Sequence, residues 1–294
     1  MQPDAPGSSS SKPILVAYDG SRSARAAASW AAAEAAASGR SLWLVHVIRW
    51  PLPELDGLRL PATVRDGDHA RRAAAQLVDS GVERCRQVAP GVDVRGDALT
   101  GGAIDSLGRL AEEASLLVLG ASGQTATRRV LLGSSAAELT RRVTTPVVVI
   151  REPATATPAS PVLIGVDGSA VSDRVVDAGF AFAARRGLGV VAVHAWCDLP
   201  LEALGGPDDQ EPARCDATAL LADRLAGARA RNPQVRVEEV VTLDRPASAL
   251  LDRAAGAALL VVGRHGRGRS TDMPLGSVCH AVLYYAACPV LLAG

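Results

Sequence analysis

Two stretches of the chain carry glycine at one and the same spacing. Gly120-Ala-Ser-Gly123 is followed by nine residues and then Gly133-Ser134, and Gly263-Arg-His-Gly266 is followed by nine residues and then Gly276-Ser277. Both read G-x2-G-x9-G-S, although the residues between them differ, QTATRRVLL against RGRSTDMPL. Glycine lacks a Cβ, so backbone at these points can come close to a ligand. The final Gly-Ser pair opens a helix, whose free N–H groups, dipole and serine hydroxyl suit a phosphate. Asp19 and Asp167 stand in a repeated Asp-Gly-Ser at the end of an apolar run. A carboxylate there can accept hydrogen bonds from ribose hydroxyls or a base amino group. It can equally serve as a helix cap or turn residue. Arg264, His265, Arg267 and Arg269 add positive charge beside the second loop, where a polyphosphate would lie, and the first loop has Arg128 and Arg129. His265 suits either a phosphate contact or a solvated loop. His46 and His194 sit in apolar runs and are expected to be core histidines holding a structural hydrogen bond. His194-x-x-Cys197 and Cys279-His280 are too sparse for a zinc site, so no resident metal is expected. Mg²⁺ is expected only as a companion of ATP, since it keeps its waters and leans on phosphate oxygens.

What surrounds these residues excludes several chemistries. Lys12 is the only lysine in the chain. A Walker-A Gly-Lys-Ser/Thr, a kinase strand lysine and a Schiff-base lysine are therefore absent. Lys+Arg and Asp+Glu both number 31, a net charge of zero, without the basic excess of a nucleic-acid or anionic-membrane binder. Aromatic residues make up 3%, leaving few platforms for stacked bases. The five cysteines form no Cys-x-x-Cys pair, which fits a reduced, cytoplasmic setting. The opening MQPDAPGSSSSKP has no apolar core of the signal-peptide kind, and no apolar run reaches membrane-spanning length.

The elements that must position the loops come in two sets. Pro13-Ile-Leu-Val-Ala-Tyr-Asp19 returns as Pro161-Val-Leu-Ile-Gly-Val-Asp167, and Leu116-Leu-Val-Leu-Gly120 as Leu259-Leu-Val-Val-Gly263. Thr145-Pro-Val-Val-Val149 returns as Cys288-Pro-Val-Leu-Leu292. This is a tandem repeat, with domains expected at 12–151 and 161–294 and a Pro/Ala/Thr linker at 152–160. In the first copy the pattern predicts strands at 14–18, 41–47, 92–98, 115–120 and 146–150. Helices are expected at 22–38, 68–88, 102–113 and 134–143. Strict strand–helix alternation gives a parallel sheet with helices on both faces. The third strand is polar, as an edge strand should be. The last strand, Val147–Ile150, is apolar although it closes its copy, and Val290–Ala293 of the other copy is expected to cover it, the two copies packing face to face. Arg25 and Glu34 interrupt the alanine-rich helix and read as an exposed stripe, and Arg71-Arg72 and Arg141-Arg142 read as solvated helix faces.

With Asp-Gly-Ser after strand one, Val-His in strand two, the G-x2-G-x9-G-S loop and the closing x-Pro-Val strand all present twice, the chain resembles a tandem universal stress protein over nearly its whole length. The resemblance implies an α/β fold like that of the adenine nucleotide α-hydrolases: two tandem open twisted parallel sheets of five strands, in order 3-2-1-4-5. It implies ATP between the aspartate and the glycine loop, and dimers formed through strand five. It implies a first ATP site of Asp19, Val47, Gly120, Gly123, Gly133, Ser134 and Ser135. The second would be Asp167, Ala195, Gly263, His265, Gly266, Gly276, Ser277 and Val278. Val47 and Ala195 follow the histidine of strand two, where the family sets its backbone against the adenine. The first loop departs from the family pattern, with Ala121-Ser122 in place of a polar residue and His or Arg.

The function expected is an ATP-binding regulator of stress response or dormancy, in which ATP stabilises one arrangement of the two copies for a protein partner to read, with the long loop as the switch; a homodimer is expected as well. An adenylating enzyme or slow ATPase is the alternative. It would need a positioned base or nucleophile, yet only Ser122, Ser134, Ser135, His265 and Ser277 lie near the loops, without a carboxylate–histidine pair. A dinucleotide oxidoreductase lacks its G-x-G-x-x-G after strand one. A scaffold that has lost nucleotide binding in its first copy is the remaining reading.

Overall fold

The structure is a computed structural model that describes residues 12–48, 67–122, 132–151, 157, 159–195, 207–267 and 274–294. In the first half the elements run β1 (Ile14–Ala17), α1 (Arg22–Ser38), β2 (Leu42–Ile48), α2 (Asp68–Val88), β3 (Val94–Thr100), α3 (Ala103–Glu112), β4 (Leu116–Gly120), α4 (Ser134–Arg142) and β5 (Val147–Ile150). The second half repeats them as β6 (Val162–Gly165), α5 (Ser172–Arg186), β7 (Val190–Ala195), α6 (Pro207–Arg231), β8 (Val237–Thr242), α7 (Pro246–Ala254), β9 (Leu259–Gly263), α8 (Ser277–Tyr285) and β10 (Val290–Ala293). Each half has the expected strand order 3-2-1-4-5, all parallel.

The halves meet edge to edge, not face to face. β5 and β10 pair antiparallel, Val290 with Val149 and Leu292 with Val147, giving a single sheet β3-β2-β1-β4-β5-β10-β9-β6-β7-β8. Side chains alternate across a strand, so the joint feeds two cores. Val148, Ile150, Leu291 and Ala293 join the core beneath α1, α2, α5 and α6, while Val147, Val149, Val290 and Leu292 join the one beneath α3, α4, α7 and α8. Each core therefore runs through both halves. The polar strands β3 and β8 lie at the outer edges.

α1 begins at Ser21, whose hydroxyl accepts from the Ala24 N–H, and ends at Gly39 in the left-handed region. Ala24, Ala27, Ala28, Ala31, Ala32 and Ala35 form its buried stripe. Small side chains let the helix lie close on the sheet: a Cβ on Gly120 of β4 would come within 2.8 Å of the Ala24 nitrogen.

Glu34 overturns the exposed-stripe expectation. It is 3% exposed, held by Arg185 Nη2 at 2.6 Å and Arg186 Nη2 at 3.0 Å, both from α5 of the other half. Trp30 stacks on Phe182 beside it, ring centroids 6.0 Å apart, with the Arg186 guanidinium over the Phe182 ring. Helical periodicity places Glu34 on the sheet-facing side, and only the second half supplies what makes that place tolerable for a charge. Arg71, Arg72, Arg141 and Arg142 are exposed, as expected.

A buried charge stripped of its partners costs more than the partners stripped of the charge when they can still reach water. Glu34→Ala should lower stability by about 3 kcal/mol, the low end for a broken buried pair, because Arg185 and Arg186 are partly exposed. Replacing both arginines by alanine should cost more. The urea midpoints of the variants check the order, and the reverse order would contradict this account of the joint.

Candidate functional site

Parallel strands β6 and β9 are neighbours, so Asp167, just beyond β6, and Gly263, at the end of β9, arrive at the same sheet edge. This is where strand order reverses and where open α/β sheets bind ligands. A cavity of about 420 Å³ opens there. All eight residues expected for the second site line it: Asp167, Ala195, Gly263, His265, Gly266, Gly276, Ser277 and Val278. Its apolar wall includes Val175, Val193, Leu250, Val262 and Leu275, which the glycine spacing did not point to.

The polar rim is ordered around Asp167. Its Oδ1 accepts from the Ser169 N–H at 2.9 Å, Ser169 Oγ at 2.7 Å and Ser172 Oγ at 2.8 Å. Its Oδ2 accepts from the Arg267 N–H at 3.0 Å, fastening the loop to the end of the first strand of this half. Burial pushes this carboxyl up, but the hydrogen bonds from Ser169, Ser172 and Arg267 outweigh it and hold the pKa below the usual aspartate value. A Cβ on Gly266 would land on Asp167 Oδ2, a carboxylate already tied by four bonds, so glycine is required by close approach. The loop is closed at its neck by Gly276 N–H to Arg264 carbonyl, 2.8 Å, and Gly276 caps α8 without a side chain. The first N–H groups of α8, which no intrahelical carbonyl can take, and the exposed Ser277 thus line the cavity.

Cys279 also lines the cavity, but burial pushes its thiol up to about 12 against the lowering effect of the nearby Arg264 charge. It stays protonated at neutral pH and is no nucleophile. Arg264 departs from expectation too. Its guanidinium turns from the loop to the first half, donating to the Thr140 carbonyl at 2.5 Å and the Thr145 carbonyl at 2.7 Å. Arg269 lies outside the described residues.

In the first half, β1 and β4 likewise bring Asp19 and Gly120 to one edge, Gly133 caps α4, and Ser134 and Ser135 open it. The Ser21 N–H donates to Asp19 Oδ1 at 2.9 Å, and Val47 lies in β2 beside β1. The loop neck closes by the equivalent bond, Gly133 N–H to Ala121 carbonyl at 2.6 Å. Gly123, Arg128 and Arg129 lie outside the described residues, as does Cys197. One difference stands out at the loop base: the Ser122 carbonyl accepts from both Ser21 Oγ, at 3.2 Å, and Ser23 Oγ. In the second half Val171 takes the place of Ser23, and no hydroxyl there can make that tie.

His46 and His194 play the structural part expected of them. Each donates Nδ1–H to the carbonyl one residue before the site aspartate, Tyr18 at 2.8 Å and Val166 at 2.6 Å. Among the described residues no group of three or more His, Cys, Asp or Glu could hold a metal, and no helix is long and apolar enough to cross a membrane.

The model of the universal stress protein family matches residues 10–151 and again 159–294. The chain belongs to that family. It is 39% identical over 289 residues to a universal stress protein of Mycobacterium tuberculosis, covering 95% of this chain and 96% of the relative. It is 36% identical over 286 residues to a universal stress protein of Mycolicibacterium smegmatis, with the same shares covered. Among solved structures, a universal stress protein from Archaeoglobus fulgidus superposes with a TM-score of 0.73 at 17% identity, covering 97% of this chain and 98% of that one. At that identity the likeness is one of fold.

This universal stress protein should carry an acid-sensitive contribution from Asp167. The lowered pKa stabilises the folded state above the ordinary aspartate value of about 3.9, and the contribution is lost as pH falls through the lower folded value. Asp167→Asn should therefore flatten the acid limb of the stability curve below about pH 4. Urea titrations from pH 2 to 7 measure it, and an unchanged limb would mean that the serine bonds do not favour the carboxylate.

Proposed function

We propose that this chain is a nucleotide-dependent regulator of stress response or dormancy, with an adenine nucleotide, ATP, held in the second crevice. The observation that carries the reading is the 420 Å³ cavity, in which an apolar wall, a fixed carboxylate and an open helix N-terminus meet. A planar base suits the wall formed by Val193, Ala195 and Leu250. Ribose hydroxyls would donate to Asp167, and the phosphates would take the N–H groups at Gly276–Ser277 with the Ser277 hydroxyl. His265 lies on the loop between them. Mg²⁺ would arrive on the phosphates.

The first crevice, with Asp19, Val47, Gly120, Gly133, Ser134 and Ser135 and with Gly123 proposed from the sequence to join them, is proposed as the weaker site. The two serine hydroxyls on the Ser122 carbonyl hold its loop base against α1. Displacing them would cost a ligand part of its binding energy. The reading is one of binding and not turnover, because burial keeps the crevice's one thiol, Cys279, protonated at neutral pH and so takes it out of use as a nucleophile. A regulatory protein would read the loop that the nucleotide orders. Association into a homodimer has to use a surface other than the last strands, since β5 and β10 satisfy each other within one chain.

Denaturing the purified protein and identifying the released nucleotide by chromatography and mass spectrometry tests this. The expected result is about one adenine nucleotide per chain, lost in Gly266→Ala, whose Cβ would displace the Asp167 carboxylate. No released nucleotide, together with no binding of added ATP, would overturn the proposal.

A further inference from the structure

Four chain positions at the joint are pairwise equivalent in the repeat: Thr140 with Leu283, in the last turns of α4 and α8, and Ala121 with Arg264, at the two loop necks. The last turn of any helix leaves carbonyls without an intrahelical partner. In α4 the capping N–H of Val143 takes the Leu139 carbonyl, and in α8 that of Ala286 takes the Val282 carbonyl. The next carbonyl in each case, Thr140 and Leu283, receives an arginine from the opposite half. Arg264 Nη1 donates to Thr140, and Arg151 Nη2 donates to Leu283. A cation at a helix C-terminus also meets the negative end of the dipole.

The two arginines reach equivalent carbonyls from places that are not equivalent. Arg151 leaves the chain just after β5, where the second half has Gly294. Arg264 leaves it from a loop neck, where the first half has Ala121. Among the described residues, the second loop neck is therefore tied to the other half through a side chain that the first neck, with Ala121 there, does not have. Arg264 makes that tie at two points, Thr140 in the last turn of α4 and Thr145 in the connection to β5. Its own carbonyl meanwhile accepts from Gly276, the cap of α8. Its Nε is buried and without a hydrogen-bond partner among the described residues. A side chain so placed has a fixed position and little freedom to drift.

Resting on the reading of the second crevice as a nucleotide site, the geometry points to Arg264 as a positioning residue that couples that crevice to the first half. It lines the crevice, but its guanidinium is spent on Thr140 and Thr145 of the first half. Its backbone carbonyl takes the Gly276 N–H at the loop neck, and its guanidinium grips the α4–β5 turn. Nucleotide that fixes the neck fixes the grip, and a slack grip leaves the neck to be ordered at the ligand's expense. By linkage the same free energy works in both directions.

The test uses the full chain and ATP as the probe, with binding followed by calorimetry and backbone amides by hydrogen exchange. In the wild type, ATP should slow exchange across residues 140–146 of the first half, a readout that needs no variant. Arg264→Gln should bind ATP about tenfold more weakly, within the usual range of coupling between sites. It should also abolish the ATP-dependent change at 140–146 while leaving exchange in the central strands of the unliganded protein as it was. Arg264→Lys, which keeps the charge without the two-pronged fork, should recover part of both effects. ATP that binds the wild type without altering 140–146 would overturn the proposal, and so would an Arg264→Gln protein that retains both affinity and response. A wild type that binds no ATP would instead remove the nucleotide reading on which it rests.

Discussion

Two apolar strand edges that need each other govern this molecule. β5 and β10 each close a half-sheet, and each is buried throughout its length. Left open, either would present unpaired N–H and C=O groups beside valine and leucine, a template for aggregation. Their antiparallel pairing removes both edges at once and merges ten strands into one sheet. It also makes both cores continuous across the joint, so neither half has a hydrophobic interior of its own. The Glu34–Arg185–Arg186 cluster lies over the same line, between α1 and α5. A slipped or misdocked joint would leave the Glu34 charge unpaired in an apolar place, which penalises wrong arrangements.

The second crevice follows from this frame with few further ingredients. Neighbouring strands end together, a helix begins nearby, and a carboxylate stands between them. Asp167 is held by bonds to its own turn and to the loop, so the rim exists before any ligand arrives. A preformed rim spares a ligand the cost of ordering it. The first crevice has the same frame and different fastenings, because hydroxyls at Ser21 and Ser23 engage the loop base from the side of α1.

Much of this was legible in the sequence because the chain states it twice. Apolar runs at fixed order gave the strands and the polar outer edge, the glycine spacing and the two aspartates marked the loops, and the family resemblance carried by those motifs implied the strand order and the eight residues that line the second cavity. Three features were not legible, for one physical reason. Glu34 looked like a solvent stripe, Arg264 looked like a phosphate ligand, and Arg151 looked like no more than the last residue of its domain. Each is decided by a partner more than a hundred positions away in the other half. Local periodicity describes a residue against its own helix and sheet, and it has no knowledge of what docks across an edge. The face-to-face expectation failed similarly: it identified the right strands, but an edge is closed by backbone pairing, which side-chain pattern does not encode.

Carrying both halves on one chain has a consequence for the crossed arginines. In a dimer of two identical chains the interface is isologous, and every residue must serve on both sides of the axis. An arginine at one loop neck would then appear at both. Covalent tethering lifts that obligation. It also keeps the partners at a high effective concentration, millimolar for short flexible tethers, so the union survives dilution that would separate free subunits. Sequence drift at the seam is thus free to become directional, with an arginine reaching across from one loop neck and serines holding the base of the other. The seam of this molecule is a heterodimer interface written within a single polypeptide.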